Sequence, residues 1–158
     1  MLRIMLVLLS ARLCSAAVLT VTGPASSVPG ASIELSIGLT GSAGIDLTAV
    51  EWTHVLPAGV TLGTPKIPAG QPARMGAYCG AANCLVLCYF GAAGLVPPNK
   101  TKISLKDGKI AVVPVKLASS VSIGTLQLPL KNVVGASGAG VAVVVLSGPT
   151  YTLLVREK

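Results

Sequence analysis

The side chains that could perform acid–base chemistry are few. The chain has one histidine, His54, and five carboxylate residues: Glu34, Asp46, Glu51, Asp107 and Glu157. Glycoside hydrolysis requires two carboxyl groups about 5 to 9.5 Å apart, and Glu34 and Glu51 could come close on neighbouring strands. Each of them, however, occupies an outward polar position, whereas His54 shares a strand face with Val50 and Trp52. We therefore expect His54 to be a histidine at the edge of the core, and we expect no catalytic pair and no enzymatic activity.

The sequence also offers little for a phosphate group or a metal ion. The stretch 135–140, Gly-Ala-Ser-Gly-Ala-Gly, lacks the lysine and the Ser or Thr of a phosphate-binding loop, so it predicts a hairpin loop. Calcium requires about six to eight oxygen ligands, and no loop rich in Asp or Asn supplies them. We expect neither a cofactor nor a metal ion.

Three cysteines, Cys79, Cys84 and Cys88, lie close together in the sequence. Cys79 and Cys84 flank the four residues 80–83, and residues that face each other across a hairpin are about 5.5 Å apart, within disulfide range. Cys84 and Cys88, on one strand, would be about 13 Å apart. We predict a Cys79–Cys84 disulfide, with Cys88 as a small buried apolar residue. The alternative is a zinc site with His54 as the fourth ligand, although the cysteine spacing suits structural zinc poorly.

Residues 1–16, MLRIMLVLLSARLCSA, resemble a secretory signal peptide. Arg3 precedes the apolar run 4–9, and the small residues Ser15 and Ala16 follow, which predicts cleavage near Ala16. The apolar run is shorter than the about 20 residues that cross a bilayer, so no transmembrane segment is expected. A disulfide fits the same oxidising destination. The sequence therefore predicts one secreted domain over residues 17–158, extracellular and typical of a bacterial cell surface.

The residues most suited to binding are aromatic and basic. Tyr78 and Tyr89 could face each other across the cysteine hairpin, and Trp52 precedes them. Most of the excess positive charge lies between residues 100 and 116, where no aromatic residue is interleaved with the lysines. Nucleic-acid binding is therefore not expected. A solvated strand edge explains the lysines best, although they could also attract acidic polysaccharide. The candidate binding surface consists of Trp52, Tyr78, Tyr89, Lys100 and Lys102.

Alternation of apolar and polar residues with period two recurs along the chain. Ile33, Leu35, Ile37 and Leu39 alternate with polar or small residues, which is typical of a half-buried strand. Similar runs occur at 50–56, 111–117 and 126–131, and shorter apolar segments at 19–21, 60–62, 85–90, 103–105, 141–146 and 151–155. Nine or ten short strands without a helix predict an all-β sandwich or barrel.

Gly- and Pro-rich turn signals separate these strands. Asp107-Gly108 predicts a hairpin between residues 103–105 and 110–115. Pro129, within the alternating run 126–131, predicts a strand at the edge of a sheet because proline cannot donate a ladder hydrogen bond. No composition shift marks a second domain.

The order of these motifs resembles that of cohesin-type domains. Leu19-Thr-Val-Thr-Gly-Pro and Val28-Pro-Gly-Ala-Ser-Ile are similar to their first strand, turn and second strand. Residues 45–56 with Pro57-Ala-Gly-Val are similar to the third strand and its turn, and Gly108-Lys-Ile-Ala-Val-Val-Pro-Val and 140–155 to later strands. The resemblance covers about residues 18–156. It implies a nine-stranded jelly-roll β-sandwich of two antiparallel sheets, in a superfamily shared with carbohydrate-binding modules.

The resemblance implies a non-catalytic binding module with a protein or polysaccharide partner. Cohesins bind dockerins, but this chain lacks their acidic, Asn-rich binding face and has an extra hairpin at 79–84. The alternative function is a structural subunit of an extracellular filament, surface layer or virion. Such a subunit could assemble with itself through exposed sheet edges, which accept a strand from a neighbour.

Overall fold

The structure, a computed structural model, describes residues 16–69, 71, 74–80, 82–89 and 104–157. These residues form thirteen β-strands and no helix, so none of them builds a helix that could cross a membrane. The strands in chain order are β1 (Ala17–Thr22), β2 (Ser26–Ser27), β3 (Ser32–Thr40), β4 (Ala49–Val55), β5 (Val60–Leu62), β6 (Arg74–Cys79), β7 (Asn83–Tyr89), β8 (Gly108–Leu117), β9 (Gly124–Leu128), β10 (Leu130–Ala136), β11 (Ala142–Val143), β12 (Val145–Ser147) and β13 (Tyr151–Val155). The predicted all-β fold class is confirmed. The strand number differs from nine because short paired segments form strands of their own.

The strands form three hydrogen-bonded sheets. The first sheet has the order β12-β1-β3-β8-β5, the second β11-β10-β4-β7-β6, and the third β2-β13-β9. Most pairs are antiparallel, whereas β1 with β12 and β13 with β2 are parallel. The architecture is a sandwich of the first two sheets, with the third completing the core.

The core lies between the sheets because one face of each strand is apolar. In β3, Leu35, Ile37 and Leu39 are fully buried, and in β4 Val50 and Trp52 take the equivalent positions on the second sheet. Both sets belong to one hydrophobic cluster, as do residues of the third sheet. Since strand side chains alternate between the two faces, the intervening residues point outward.

Glu34 and Glu51 illustrate this alternation. Glu34 precedes the buried Leu35 on β3 of the first sheet, and Glu51 lies between the buried Val50 and Trp52 on β4 of the second. The two carboxylates therefore lie on opposite outer surfaces of the sandwich, with the core between them. This arrangement cannot bring them together around one glycosidic bond.

Two local predictions were wrong. The run 126–131 is two strands instead of one, because the chain changes sheets at Pro129: β9 lies at the edge of the third sheet, and β10 pairs with β4 in the second. Asp107-Gly108 does not connect two strands either, since residues 104–106 are not in a strand. The Asp107 carboxylate instead accepts hydrogen bonds from the backbone N–H groups of Gly41, at 3.0 Å, and Ser42, at 2.7 Å. This carboxylate holds the loop that follows β3.

Candidate functional site

The outward surface of the second sheet is the candidate functional site. Because Val50, Trp52 and His54 of β4 point into the core, Glu51 and Thr53 point outward. The strand register places one row of side chains across the sheet: Lys131 of β10 pairs with Thr53, Thr53 with Leu85 of β7, and Leu85 with Tyr78 of β6. A second row includes Val134 of β10 opposite Glu51. We call these outward residues the open face: Glu51, Thr53, Tyr78, Leu85, Lys131 and Val134.

The open face exposes large apolar side chains. Tyr78 is 85% exposed, Val134 53% and Leu85 36%, although all three belong to regular strands. Tyr78 and Leu85 are direct cross-strand neighbours, so they form a continuous apolar patch. Lys131 and Glu51 lie beside this patch with opposite charges. The composition is an apolar centre beside charged residues, which is typical of the buried core and polar rim of a protein interface.

A buried Trp–His pair supports the open face from beneath. The Trp52 Nε1–H donates a hydrogen bond of 3.0 Å to His54 Nε2, and the two rings meet edge to face with centroids 6.3 Å apart. His54 is only 1% exposed, and its burial lowers its pKa from 6.5 to about 4. The imidazole is therefore neutral at neutral pH and carries its proton on Nδ1. The predicted core histidine is confirmed by its burial.

The neutral imidazole of His54 presents neither of its nitrogen atoms at the surface. Its Nδ1 is buried and has no hydrogen-bond partner among the described residues. Its Nε2 accepts the Trp52 hydrogen bond and faces the core. In addition, the described part of the chain has no group of three or more His, Cys, Asp or Glu residues that could hold a metal ion. The hydrogen bond between Trp52 and His54 instead holds these two side chains of β4 in place.

The cysteine hairpin sets the position of Tyr78. Cys79 and Cys84 are cross-strand partners with Cα atoms 4.0 Å apart, and their sulfur atoms form a disulfide. The Gly80 N–H donates to the Asn83 carbonyl at 2.8 Å, so the cysteines occupy the adjacent non-hydrogen-bonded pair. This explains why the cysteines are closer than the about 5.5 Å of a hydrogen-bonded pair, which the sequence had suggested. The disulfide fixes the register that brings Tyr78 beside Leu85.

The structure brings together only part of the predicted binding surface. Tyr78 lies on the open face, as predicted for a surface residue. Trp52 is 0% exposed, so the prediction that it belongs to the binding surface is wrong. Trp52 is an inward residue of β4, and its bulk fills the core. Tyr89 pairs with Arg74 instead of facing Tyr78. Lys100 and Lys102 lie outside the described residues.

Sequence reasoning missed several residues of the open face. Thr53 and Leu85 could have been found from strand alternation combined with the cysteine hairpin register. Lys131 and Val134 both point outward although they are three positions apart, because the register shifts between them. Asn132 within this bulge has a positive φ of 51°. Period-two counting fails at such a bulge, so the sequence alone did not identify Val134.

Comparison with known proteins places this architecture among cohesins. The sequence matches no protein-family model and no curated protein. Among solved structures, it is similar to the cohesin module of a family 33 glycoside hydrolase from Clostridium perfringens, with a TM-score of 0.72 and 14% identity over 91% of this chain and 99% of that one.

Other similar structures come from a bacterium and an archaeon. A type I cohesin–dockerin complex of Coh-OlpA and Doc918 from Clostridium thermocellum has a TM-score of 0.71 and 10% identity, covering 89% of this chain and 99% of that chain. A non-cellulosomal cohesin from the hyperthermophilic archaeon Archaeoglobus fulgidus has a TM-score of 0.67 and 10% identity, covering 89% and 91%. The described residues therefore form a cohesin-like β-sandwich domain.

Proposed function

We propose that this chain is a non-catalytic binding module that recognises a protein partner through the open face. The observation that carries this proposal is the outward row of Lys131, Thr53, Leu85 and Tyr78 across the second sheet. The opposite face of the same sheet buries Trp52, Cys84 and Val86 in the core. A sheet anchored by a core and a disulfide holds such a row in a fixed arrangement. Fixed apolar side chains bind a partner at a low entropic cost.

The similar structures support a protein as the partner. One of them is the sixth cohesin of Acetivibrio cellulolyticus scaffoldin B, solved in complex with a Cel5 dockerin, with a TM-score of 0.69 and 14% identity. On the present chain, Tyr78 and Leu85 provide the apolar contact, and Lys131 and Glu51 provide charged groups at its border. Without Arg3 and Arg12 of the leader, ten basic and five acidic side chains remain, and this net charge of +5 favours an acidic partner, because opposite charge accelerates the encounter of two proteins.

A polysaccharide partner is the second possibility raised by the sequence. Sugar rings stack on aromatic side chains, and Tyr78 is the single aromatic residue that the described part of the open face exposes. One ring offers one stacking position, whereas Leu85 and Val134 offer an apolar surface that suits a protein better than a hydroxyl-rich glycan. The geometry therefore favours a protein.

The same proposal includes export of the domain. The leader-like residues 1–16 and the Cys79–Cys84 disulfide support a secreted protein, because disulfides persist in oxidising compartments. The mature domain would begin near Ala17, where β1 starts. We place its site of action outside the cell, as expected for a surface module.

Positional photo-crosslinking tests the proposed binding face. A photoreactive amino acid replaces Leu85 in one variant and Ile123, which is 58% exposed outside the open face, in a matched control. Each variant is irradiated with the extracellular proteins of the producing organism, and adducts are identified by mass spectrometry. We expect one defined protein adduct from position 85 and none from position 123. Equal adducts from both positions, or binding to a glycan array without a protein adduct, would refute the proposal.

A further inference from the structure

The edge strand β6 has hydrogen-bonding groups without a strand partner in the described part of the chain. It lies at one end of the second sheet and bonds to β7 alone. Since Gly80 donates to Asn83 at the hairpin end, the alternation of an antiparallel ladder directs the backbone groups of Tyr78 and Gly76 toward β7. The N–H and C=O groups of Met75, Ala77 and Cys79 therefore point away from the sheet.

This edge differs from the other sheet edges of the described residues. β2 and β11 have two residues each, and β5 and β12 have three. β9 is longer, but Pro129 follows it directly. β6 has six residues, with Arg74 at its start and no lysine or proline within it. Short strands, proline and lysine are the usual protections against edge pairing, and β6 lacks them.

We propose that β6 pairs antiparallel with β6 of a second copy of this chain, about a two-fold axis at Ala77. In this register Ala77 lies opposite Ala77 of the partner subunit, and Met75 lies opposite Cys79 of the partner subunit. Met75, Ala77 and Cys79 direct their backbone groups away from their own sheet, and in this register each of them lies opposite a residue that does the same. By the rules of an antiparallel ladder, this gives about six backbone hydrogen bonds. Registers centred at other positions of β6 leave some of these groups unpaired.

Side chains on the open face support the same register. Tyr78 lies opposite Gly76 of the partner subunit in a non-hydrogen-bonded pair, where side chains approach most closely. Tyr78 is 85% exposed, and a Cβ placed on Gly76 would meet no atom within 4 Å. Each tyrosine ring thus finds an open space above a glycine, and an aromatic ring that covers a glycine stabilises a strand pair.

The charges permit this pairing of identical strands. Arg74 is the only charged residue of β6. The antiparallel register places Arg74 opposite Gly80 of the partner subunit, so the two arginines lie at opposite ends of the paired strands. Like charges therefore do not face each other. A second copy satisfies the hydrogen bonds, the ring positions and the charges together.

The pairing has a consequence for binding, although it does not depend on the proposed function. Cross-strand partners share a face, so both open faces lie on the same side of a continuous sheet of two five-stranded halves. A dimer would present two partner sites in one plane, and two linked sites strengthen binding to a repetitive target. The dimer is measured on the purified protein alone, so its failure would leave the proposed partner binding untouched.

Sedimentation of charge variants tests the dimer. We expect the mass of the purified protein to rise from that of one chain, which is 15.8 kDa for the full sequence, toward that of two chains as its concentration increases, because a small interface binds weakly. Ala77→Lys and Ala77→Glu place like charges at the axis, and each should stay monomeric. Their equimolar mixture should dimerise again, which also shows that both variants are folded.

The matched control is Ile123→Lys, which adds the same charge at an exposed site outside β6. This variant should dimerise like the unmodified protein. Tyr78→Thr should weaken the dimer at least several-fold, since it removes the ring from above Gly76 of the partner subunit. A monomeric protein at millimolar concentration would overturn the proposal. So would an Ala77→Lys variant that dimerises like the unmodified protein.

Discussion

Acid should weaken the fold through His54 before it affects the carboxylates. Burial lowers the pKa of His54 to about 4 in the folded protein, whereas the unfolded chain keeps the ordinary value of 6.5. Between these values the unfolded chain binds a proton that the folded protein does not. The free energy of unfolding is therefore constant above about pH 6.5 and falls as the pH decreases toward 4.

The magnitude follows from the two pKa values. A tenfold separation of proton affinities corresponds to about 1.4 kcal/mol, so the full loss between pH 6.5 and 4 is about 3 kcal/mol for His54. Its neighbours across the strands are Cys84, which is in the disulfide, and Leu130, so neither titrates in this range. Asp107, whose pKa is lowered by its hydrogen bonds to Ser42 and Gly41, acts only at lower pH.

Urea unfolding at a series of pH values measures this effect. Trp52 is the only tryptophan and is hydrogen-bonded to His54, so its fluorescence reports the transition directly. We expect the free energy of unfolding to be about 2 to 3 kcal/mol lower at pH 4.5 than at pH 7.5. In the matched control His54→Gln, an amide oxygen accepts the Trp52 hydrogen bond without titrating, and the loss should disappear. A pH-independent unmodified protein, or an equal loss in the control, would refute the reasoning.

Three further changes should alter stability in the urea assay. Gly135→Ala should cost about 1 to 3 kcal/mol through overpacking, since a Cβ there would lie 2.5 Å from Val145 Cγ2, while Gly76→Ala, which meets open space, should change little. Asp107→Ala should cost about 1 kcal/mol, because its hydrogen bonds are charged but only partly buried. In the unmodified protein this contribution is complete above the ordinary carboxyl pKa and declines as the pH falls through the lowered value. Cys79→Ser should cost about 2 kcal/mol by the loop-entropy model, and an unchanged midpoint would contradict the disulfide's structural role.

Local patterns predicted the features that depend on neighbouring residues. The alternation around Val50 and Trp52 correctly placed His54 in the core. The four-residue spacing correctly paired Cys79 with Cys84, because a short hairpin brings its ends together without help from the rest of the chain. The all-β class followed from many such patterns at once.

Features that depend on distant strands could not be predicted in this way. Alternation put Trp52 on the same face as His54, but its aromatic ring also made it a candidate for the binding surface, and its full burial shows that the core interpretation was the correct one. Asp107 looked like a hairpin residue, yet its carboxylate binds a loop 65 residues earlier in the chain at Ser42. The change of sheet at Pro129 and the bulge at Asn132 depend on how β10 meets β4. Tertiary contacts override local propensity at these positions.

The most direct test of the central claim measures how one substitution on the open face changes the affinity of this protein for its protein partner. Calorimetric titration would compare the unmodified protein, Leu85→Lys and the control Ile123→Lys with the partner identified by crosslinking. A charge placed in the centre of the open face should weaken binding at least tenfold, because interface centres tolerate unpaired charge poorly. The control should bind like the unmodified protein. Equal affinities for all three proteins would contradict a binding site on the open face.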